Sequence, residues 1–285
     1  MRIIRALAPA KINLFLRVLA RRPYGYHSIE TLFQAIDLYD ELIVEETSGS
    51  TALEVVGIPE LQSEGNLVMR ALRWLEKHVG VDLRVKIRLD KRIPMAAGLG
   101  GGSSDAAAAL LSIRELFRLP VSDEEIRSAA LGLGADVPFF FTGGAAVGEG
   151  IGELVTPVTI PEDYGLLLVN PGFPVSTAAV YSEFSKTLTG RSREGRLWNV
   201  LREARTLADL LHNDLQPVTE SLYPEVFTIR TRLKEQGLLG VLMSGSGPTV
   251  FGIVEHGNAV ESGKGLPLKW RAIVARPLNH GVTLE

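Results

Sequence analysis

The 285-residue chain contains no cysteine. Disulfide bonds, thiolate nucleophiles and cysteine-ligated zinc sites are therefore excluded, and the composition is compatible with a reducing compartment. Histidine is scarce as well, and no two of the five histidines lie three to five positions apart. This scatter argues against a histidine-based metal site; the residues are His27, His78, His212, His256 and His280.

The chain also lacks a surplus of charge of one sign, since 30 basic residues face 33 acidic residues and the net charge is −3. So weak a field argues against a protein that binds nucleic acid by neutralising phosphates, although one anion-binding pocket remains compatible with it. Two uncharged stretches, Tyr164–Ser182 and Gln236–Val254, are interrupted by proline or glycine and predict buried strands and loops, not membrane spans. No secretory signal or transit peptide is visible at Met1, so we expect a protein of the bacterial cytoplasm.

The length of the chain predicts two domains, residues 1–160 and 161–285. Alternating hydrophobicity, capping residues and glycines predict the elements of the first domain. They are strands at Ala10–Val18 (half-buried), Ser28–Ile36, Glu41–Glu45 and Val81–Asp90, a helix at Leu67–Val79 between Asn66 and Gly80, a helix between the glycine run Gly98–Gly102 and Pro120, a helix opened by the capping box Ser122–Glu125, and a short strand within Thr142–Gly152.

The second domain is predicted to begin near Pro161 and to alternate strands with helices. Its predicted elements are strands at Leu166–Val169, Leu239–Met243, Val250–Val254 and Ala272–Ala275, and helices at Thr177–Ser185, Arg202–Leu211, Glu225–Gln236 and, weakly, Asn258–Gly263. This order is compatible with a ferredoxin-like split βαβ unit.

The segment from Pro94 to Ala106 is the most informative part of the sequence, because a glycine-rich loop here follows a predicted strand and opens a helix. Glycines let backbone N–H groups converge on an anion, and the positive end of the helix points to the same place. Ser103 and Ser104 add hydroxyl donors. The segment matches neither the Walker A pattern nor the dinucleotide-binding pattern. A tight turn ahead of an alanine-rich helix is the alternative interpretation.

Lys11 and Asn13 lie two positions apart on a predicted strand, so their side chains share one face. A lysine on the buried half of a strand is costly without an anionic partner. Asp136 is a candidate partner, because Pro138 predicts a helix start, and the helix dipole together with Lys11 would hold the carboxylate ionised. A surface lysine and an N-capping aspartate are the alternative.

Three segments, in this order, resemble motifs of the GHMP kinases, the superfamily of galactokinase, homoserine kinase, mevalonate kinase and phosphomevalonate kinase: Pro9–Leu14, Pro94–Ala106 and Ser244–Thr249. The resemblance spans nearly the whole chain. It implies an α+β, two-domain GHMP kinase fold, with an N-terminal ribosomal-protein-S5-domain-2-like domain and a C-terminal ferredoxin-like domain. It also implies an ATP-dependent kinase that phosphorylates an alcohol group, with ATP as co-substrate and Mg²⁺ held mainly by phosphate oxygens; Ser104 is the candidate protein ligand.

The same resemblance implies roles for individual residues. Lys11 and Asp136 would be the catalytic pair, with Asp136 accepting or orienting the proton of the substrate hydroxyl and Lys11 stabilising charge on the transferring phosphoryl group. ATP would be bound by the loop residues Pro94, Met95, Ala96, Ala97, Gly98, Leu99, Gly100, Gly101, Gly102, Ser103 and Ser104 and by the C-terminal glycine motif Ser244, Gly245, Ser246 and Gly247.

Further segments resemble the branch of this family that phosphorylates a cytidine diphosphate-linked methylerythritol on the way to isoprenoids: Arg22–His27, Glu30–Gln34, Asn170–Gly172, Ser176–Thr177 and Asn213–Leu215. By this resemblance Tyr26 and Tyr181 would stack on the two faces of cytosine, and His27 would hydrogen-bond its polar edge. Asn13 and Thr177 would also contact the substrate. An ordinary turn at Tyr26 and His27 and an inward-packed Tyr181 are the alternatives.

Tyr24 departs from the branch's pattern, which has a small polar or acidic residue there, and a bulky side chain is expected to alter the shape of the turn. Two other functions compete with this one. A kinase for homoserine or mevalonate would not need aromatic side chains to stack on a base, and a nucleotide-binding regulator without activity would not need Lys11 and Asp136. We expect no nucleic-acid or membrane partner, and a monomer or weak homodimer.

Overall fold

The computed structural model describes residues 2–22, 27–161, 163–186, 196–203, 206–254 and 265–285. Within these ranges the chain forms two sheets with helices packed on them, which confirms the α+β class. The larger sheet contains β1 (Ile3–Arg21), β2 (His27–Glu46), β3 (Ala52–Val55), β4 (Val85–Asp90), β5 (Ala145–Glu149), β6 (Leu154–Val158), β8 (His212–Asn213) and β12 (Thr283–Leu284). The last two strands come from the C-terminal half, so both halves of the chain contribute to this sheet.

Four helices belong to the first half of the chain: α1 (Leu67–Val79), α2 (Gly101–Phe117), α3 (Asp123–Leu133) and α4 (Phe139–Thr142). The prediction for α1 is confirmed at both ends, because Asn66 accepts a hydrogen bond from the backbone of Val68 and Gly80 ends the helix in the left-handed conformation. The capping box that begins α3 at Ser122 is confirmed as well. α2 begins one residue earlier than the end of the glycine run, with Gly100 as its N-cap.

The second sheet has the order β11-β7-β10-β9, and all of its pairs are antiparallel; its strands are β7 (Gly165–Asn170), β9 (Gly240–Met243), β10 (Val250–Val254) and β11 (Arg271–Ala275). In the described part of the chain between β7 and β9 the α-helices are α5 (Thr177–Ser185), α6 (Arg196–Glu203), α7 (Gln216–Leu222) and α8 (Pro224–Glu235). Numbered by themselves in chain order, the four strands run 4-1-3-2, which agrees with a ferredoxin-like sheet. The weak helix predicted at 258–263 lies outside the described residues.

β1 is longer than predicted, and the prediction that it is half-buried is wrong, because every residue from Ala10 to Val18 is buried. Its Ile12 and Leu14 share one hydrophobic cluster with Leu166 and Phe251 of the second sheet. The C-terminal half therefore covers the apolar face of β1, whereas Lys11 on the other face is buried under the glycine loop and Phe140. This burial matters for the site, because Lys11 and Asn13 lie on the same strand.

Three further sequence predictions differ from the structure. The strands predicted at Ser28–Ile36 and Glu41–Glu45 are one strand, β2, because Tyr39 and Asp40 between them pair with β1 after a shift of register. The strand predicted from Val81 begins only at Val85. The helix predicted at Arg202–Leu211 is wrong: α6 lies earlier, and a separate 3-10 turn at Leu207–Leu210 follows.

Candidate active site

A cavity of about 930 Å³ lies where the glycine loop, β1 and α5 meet. Its wall includes most of the residues that the sequence singled out, drawn from both halves of the chain. They are Lys11, Asn13, His27, Pro94, Met95, Ala96, Ala97, Gly98, Gly100, Gly101, Gly102, Ser103, Asp136, Thr177, Tyr181, Gly245 and Ser246.

The N-terminal glycine loop and the C-terminal glycine motif touch each other directly at one end of the cavity. The hydroxyl of Ser244 donates a hydrogen bond to the carbonyl oxygen of Gly98 over 2.9 Å, and the backbone N–H of Asn13 donates to the Ser244 hydroxyl over 3.3 Å. Gly98 has a φ of +76°, and a Cβ at this position would collide with the carbonyl oxygen of Ser244. Glycine is therefore required here both for its conformation and for the close approach of the two loops.

Lys11 is held in place by the loop that faces it. Its backbone N–H donates to the carbonyl oxygen of Leu99 over 2.9 Å. Gly100 lies against the lysine stem, because a Cβ there would be 3.0 Å from Cγ of Lys11 and 2.8 Å from the ring of Phe140. The missing side chain at Gly100 thus leaves room for the lysine to extend below the start of α2.

Four of the sequence-predicted ATP residues are not among the described residues that line the cavity. Leu99 is buried in the hydrophobic core, and the hydroxyl of Ser104 is buried without a hydrogen-bond partner among the described residues. Ser244 and Gly247 lie behind the wall, where Gly247 donates its N–H to the Ser244 carbonyl over 2.9 Å. The start of a helix explains the difference between the serines: Ser103 lines the cavity, whereas Ser104, one residue on, points inward.

Lys11 lies at the centre of the polar part of the cavity and is only 4% exposed. Its Nζ donates to Oδ1 of Asn13 over 2.7 Å and lies 3.4 Å from Oδ2 of Asp136. The amide nitrogen of Asn13 in turn donates to the hydroxyl of Thr31 over 2.7 Å, which leaves the Asn13 oxygen facing the lysine. The structure therefore brings together the lysine, the asparagine and the aspartate that the sequence predicted as partners.

Asp136 reaches the cavity from the turn before α4. Its side chain is 32% exposed, and Pro138 is the N-cap of the short helix that follows. A carboxylate that is both open to the cavity and next to a buried ammonium is arranged to meet a hydroxyl group of a bound ligand.

Two aromatic rings line another part of the cavity, which we call its aromatic end. The ring of His27 stacks on Tyr181 with 5.2 Å between the centroids and 29° between the planes. Burial, with a smaller contribution from the charge of Arg21, lowers the pKa of His27, and burial with the nearby charge of Asp136 raises the pKa of Tyr181. Thr177 joins this end to the C-terminal glycine motif through a 2.8 Å hydrogen bond with the hydroxyl of Ser246. Tyr24 and Tyr26 lie outside the described residues.

A buried charge cluster on the cavity wall was missed at the sequence level. Nζ of Lys91 donates to Oδ2 of Asp105 over 2.7 Å and to Asp40, and all three side chains are at most 6% exposed. Burial raises the pKa of Asp105 to about 8, with the Lys91 cation opposing this effect and Asp40 adding to it. Oδ1 of Asp105 finds no hydrogen-bond partner among the described residues.

The donor set of the cavity fits Mg²⁺ bound chiefly through a ligand's own oxygens. Within the described ranges, no three His, Cys, Asp or Glu side chains converge to hold a metal. Near the loop, the hydroxyl of Ser103 and the carboxyl groups of Asp105 and Asp136 line the cavity, whereas the Ser104 hydroxyl is buried behind it. Mg²⁺ commonly takes few protein ligands when phosphates and water complete its shell.

Comparison with known proteins agrees with the geometry. The model of the GHMP kinases N terminal domain matches residues 66–144, and that of the GHMP kinases C terminal domain matches residues 197–264. Among the described residues, no helix is long and apolar enough to cross a membrane.

Whole-chain relatives and solved structures carry the comparison further. The chain is 42% identical over 273 residues to the 4-diphosphocytidyl-2-C-methyl-D-erythritol kinase of Pelotomaculum thermopropionicum. The aligned residues make up 94% of this chain and 94% of the relative. It also superposes on a crystal structure of 4-(cytidine 5'-diphospho)-2C-methyl-D-erythritol kinase with a TM-score of 0.80 and 36% identity, covering 97% of this chain and 100% of the other. The homoserine kinase from Cytophaga hutchinsonii shares the fold. Its crystal structure superposes with a TM-score of 0.76 and 17% identity, covering 100% of this chain and 98% of the other.

Proposed function

The chain belongs to the 4-diphosphocytidyl-2-C-methyl-D-erythritol kinases, a family of the GHMP kinases, and we propose that the cavity at Lys11 and Asp136 is its active site. The enzyme transfers the γ-phosphoryl group of ATP to the C2 hydroxyl of 4-diphosphocytidyl-2-C-methyl-D-erythritol. The products are the 2-phosphate and ADP, in the non-mevalonate route to isoprenoid precursors.

The observation that carries the site proposal is the position of the Lys11–Asp136 pair between the glycine loop and the aromatic end of the cavity. The substrate's C2 hydroxyl lies between the two side chains. Asp136 accepts or orients the hydroxyl proton, and Lys11 holds the oxygen and stabilises the negative charge of the transferring phosphoryl group. Such charge stabilisation is strong here, because Lys11 is shielded from water.

The ATP phosphates bind over the start of α2. Backbone N–H groups of the glycine loop, the Ser103 hydroxyl and the positive end of the helix meet them there. The segment at Gly245 and Ser246 closes the site from the C-terminal half. Mg²⁺ bound with ATP supplies neutralising charge at the phosphate oxygens. Because the glycine loop lies against Lys11, phosphates bound by the loop come close to its ammonium group, and the transfer depends on positioning and electrostatics.

The cytidine end of the substrate binds at His27 and Tyr181. Tyr181 covers one face of cytosine and His27 hydrogen-bonds the edge of the base, while Asn13 and Thr177 contact the rest of the substrate. For Tyr26, which lies outside the described residues, the sequence-based prediction is retained that it stacks on the other face. A stacked aromatic ring contributes roughly 1–3 kcal/mol per base. We further propose that the chain has two domains that meet near residue 160 and that the enzyme is cytoplasmic. We also propose that it is a monomer or weak homodimer, and size-exclusion chromatography tests this oligomeric state.

Release of ADP with Mg·ATP, measured separately with 4-diphosphocytidyl-2-C-methyl-D-erythritol, homoserine and mevalonate, tests the substrate. We expect turnover with the first alcohol, none with the other two, and loss of turnover when the metal is chelated. Turnover with homoserine or mevalonate alone would reject the cytidine-containing substrate, and ATP binding without turnover of any alcohol would favour a nucleotide-binding regulator.

A further inference from the structure

Ser185 lies behind the aromatic end of the cavity and contacts His27, the ring that is proposed to hydrogen-bond the edge of the base. Its Oγ lies 2.7 Å from Nε2 of His27 and 2.7 Å from the carbonyl oxygen of Tyr181, one helical turn earlier in α5. His27 and Tyr181 line the cavity, whereas Ser185 is not among the described residues that do so. Ser185 therefore acts on a ligand indirectly, through the cavity residues that it contacts.

The two contacts of Ser185 determine which atom carries each proton. A carbonyl oxygen only accepts hydrogen bonds, so the single hydroxyl proton of Ser185 is donated to Tyr181. The serine oxygen then has lone pairs left and no proton, so its contact with His27 is a hydrogen bond only if Nε2 of the ring carries the proton.

The other ring nitrogen of His27 is consequently an acceptor. Burial and the charge of Arg21 lower the pKa of His27, which favours a neutral ring with one proton. With that proton on Nε2, Nδ1 presents a lone pair. Since Nε2 is occupied by Ser185, Nδ1 is the nitrogen left for a ligand in the cavity.

We propose that Ser185 is a positioning residue that fixes His27 as its Nε2–H tautomer, so that Nδ1 accepts a hydrogen bond from the exocyclic amine of cytosine. Cytosine carries an amine donor at the position where uracil carries a carbonyl acceptor. Two acceptors that face each other form no hydrogen bond, and a buried unpaired polar group is costly. Ser185 thereby makes the enzyme select a cytidine over a uridine diphosphate substrate; this deepens, and rests on, the proposed function.

Kinetics with Ser185→Ala, Ser185→Thr and the control Ser182→Ala test the effect on the substrate. Ser182 lies exposed on the same helix, and alanine is a good helix former, so neither alanine variant is expected to unfold α5. For Ser185→Ala we expect KM for the cytidine substrate to rise about three- to tenfold while kcat stays within about twofold, and the preference over the uridine analogue to narrow by a similar factor. Ser185→Thr, which keeps the hydroxyl, should restore both, and Ser182→Ala should change neither. An unchanged cytidine-to-uridine preference in Ser185→Ala would overturn the proposal.

The tautomer itself is measured without substrate by ¹⁵N chemical shifts of the His27 ring, assigned by their loss in His27→Gln. We expect the wild-type ring to be protonated at Nε2 and the ring in Ser185→Ala to populate both tautomers. A wild-type ring protonated at Nδ1 would contradict the proposal, whatever the kinetics. Because this measurement needs no turnover, its failure is distinguishable from failure of the proposed function, which would appear as absence of turnover with the cytidine substrate.

Discussion

Nζ of Lys11 lies 3.4 Å from Oδ2 of Asp136, farther than the 2.7 Å that separates it from the neutral Asn13. The lysine side chain is 5% exposed and the aspartate side chain is 32% exposed, so the pair has one buried end and one end open to the cavity. The open end is where a hydroxyl group would bind. The arrangement suits an ion pair that opens to admit a reacting group better than one that serves stability alone.

The contact between Gly98 and Ser244 predicts that Gly98→Ala damages both stability and nucleotide binding. Alanine at a φ of +76° is strained, and its Cβ would push the C-terminal glycine motif away. We expect the free energy of unfolding to fall by about 2 kcal/mol or more and the Kd for ATP to rise at least about tenfold.

Gly132→Ala is the matched control for this change, measured by urea unfolding. Gly132 lies within α3, and a Cβ there meets nothing within 4 Å. Alanine in a helix is favoured over glycine, so this variant should be as stable as the wild type or more so. Equal effects of the two substitutions would show that the close approach at Gly98 is unimportant.

The aromatic end of the cavity predicts different results for two substitutions of Tyr181. Tyr181→Phe keeps the ring and should leave KM for the cytidine substrate within about threefold of the wild type. Tyr181→Leu removes the stacking surface, and KM should rise roughly ten- to hundredfold, with KM for ATP unchanged. If Tyr181→Phe raised KM for the cytidine substrate as much as Tyr181→Leu, the phenol hydroxyl of Tyr181, and not its ring, would be responsible for binding.

Asp105 predicts an unusual dependence of stability on pH. Its pKa is 3.8 as the ordinary value and about 8 in the folded protein, so the folded state binds the proton more tightly than the unfolded state. Between these two values the contribution of Asp105 to the free energy of unfolding falls as pH rises, by up to about 1.4 kcal/mol per pH unit. Asp105→Asn removes the titrating group. The free energy of unfolding of the variant, relative to that of the wild type, should therefore increase steadily from pH 5 to pH 8.

Asp123→Asn is the control, in unfolding experiments at several pH values. Asp123 pairs with Arg114, whose hydrogen bond lowers the carboxyl pKa, so its contribution changes only below its ordinary pKa of 3.8. The free energies of unfolding of the wild type and of Asp123→Asn should therefore differ by a constant amount from pH 5 to pH 8. If the free energy of unfolding of Asp105→Asn also differed from the wild-type value by a constant amount over this range, Asp105 would be ionised in the folded protein and the prediction would be wrong.

Features that depend on neighbouring residues could be predicted from the sequence. Asn66 and Gly80 mark the two ends of α1, and the glycine run marks the start of α2, because capping and left-handed conformations are local properties. The family motifs also brought Lys11 and Asp136 into one proposed site before any distance was known.

Features made by distant parts of the chain could not be predicted. Lys91 meets Asp40 across 51 positions, and His27 meets Ser185 across 158. No spacing rule connects residues so far apart. The burial of Lys11 has the same origin, because the glycine loop and Phe140, which lie far from it in the sequence, cover its face of β1.

The measurement that tests the central claim most directly is kcat of Asp136→Asn in coupled ADP release with Mg·ATP and 4-diphosphocytidyl-2-C-methyl-D-erythritol, compared with Lys11→Ala. Asparagine keeps the shape of Asp136 and removes its charge and basicity. We predict that kcat falls about a hundredfold or more in both variants, while circular dichroism and the Kd for ATP of Asp136→Asn match the wild type. A folded Asp136→Asn enzyme with kcat within about twofold of the wild type would contradict the account.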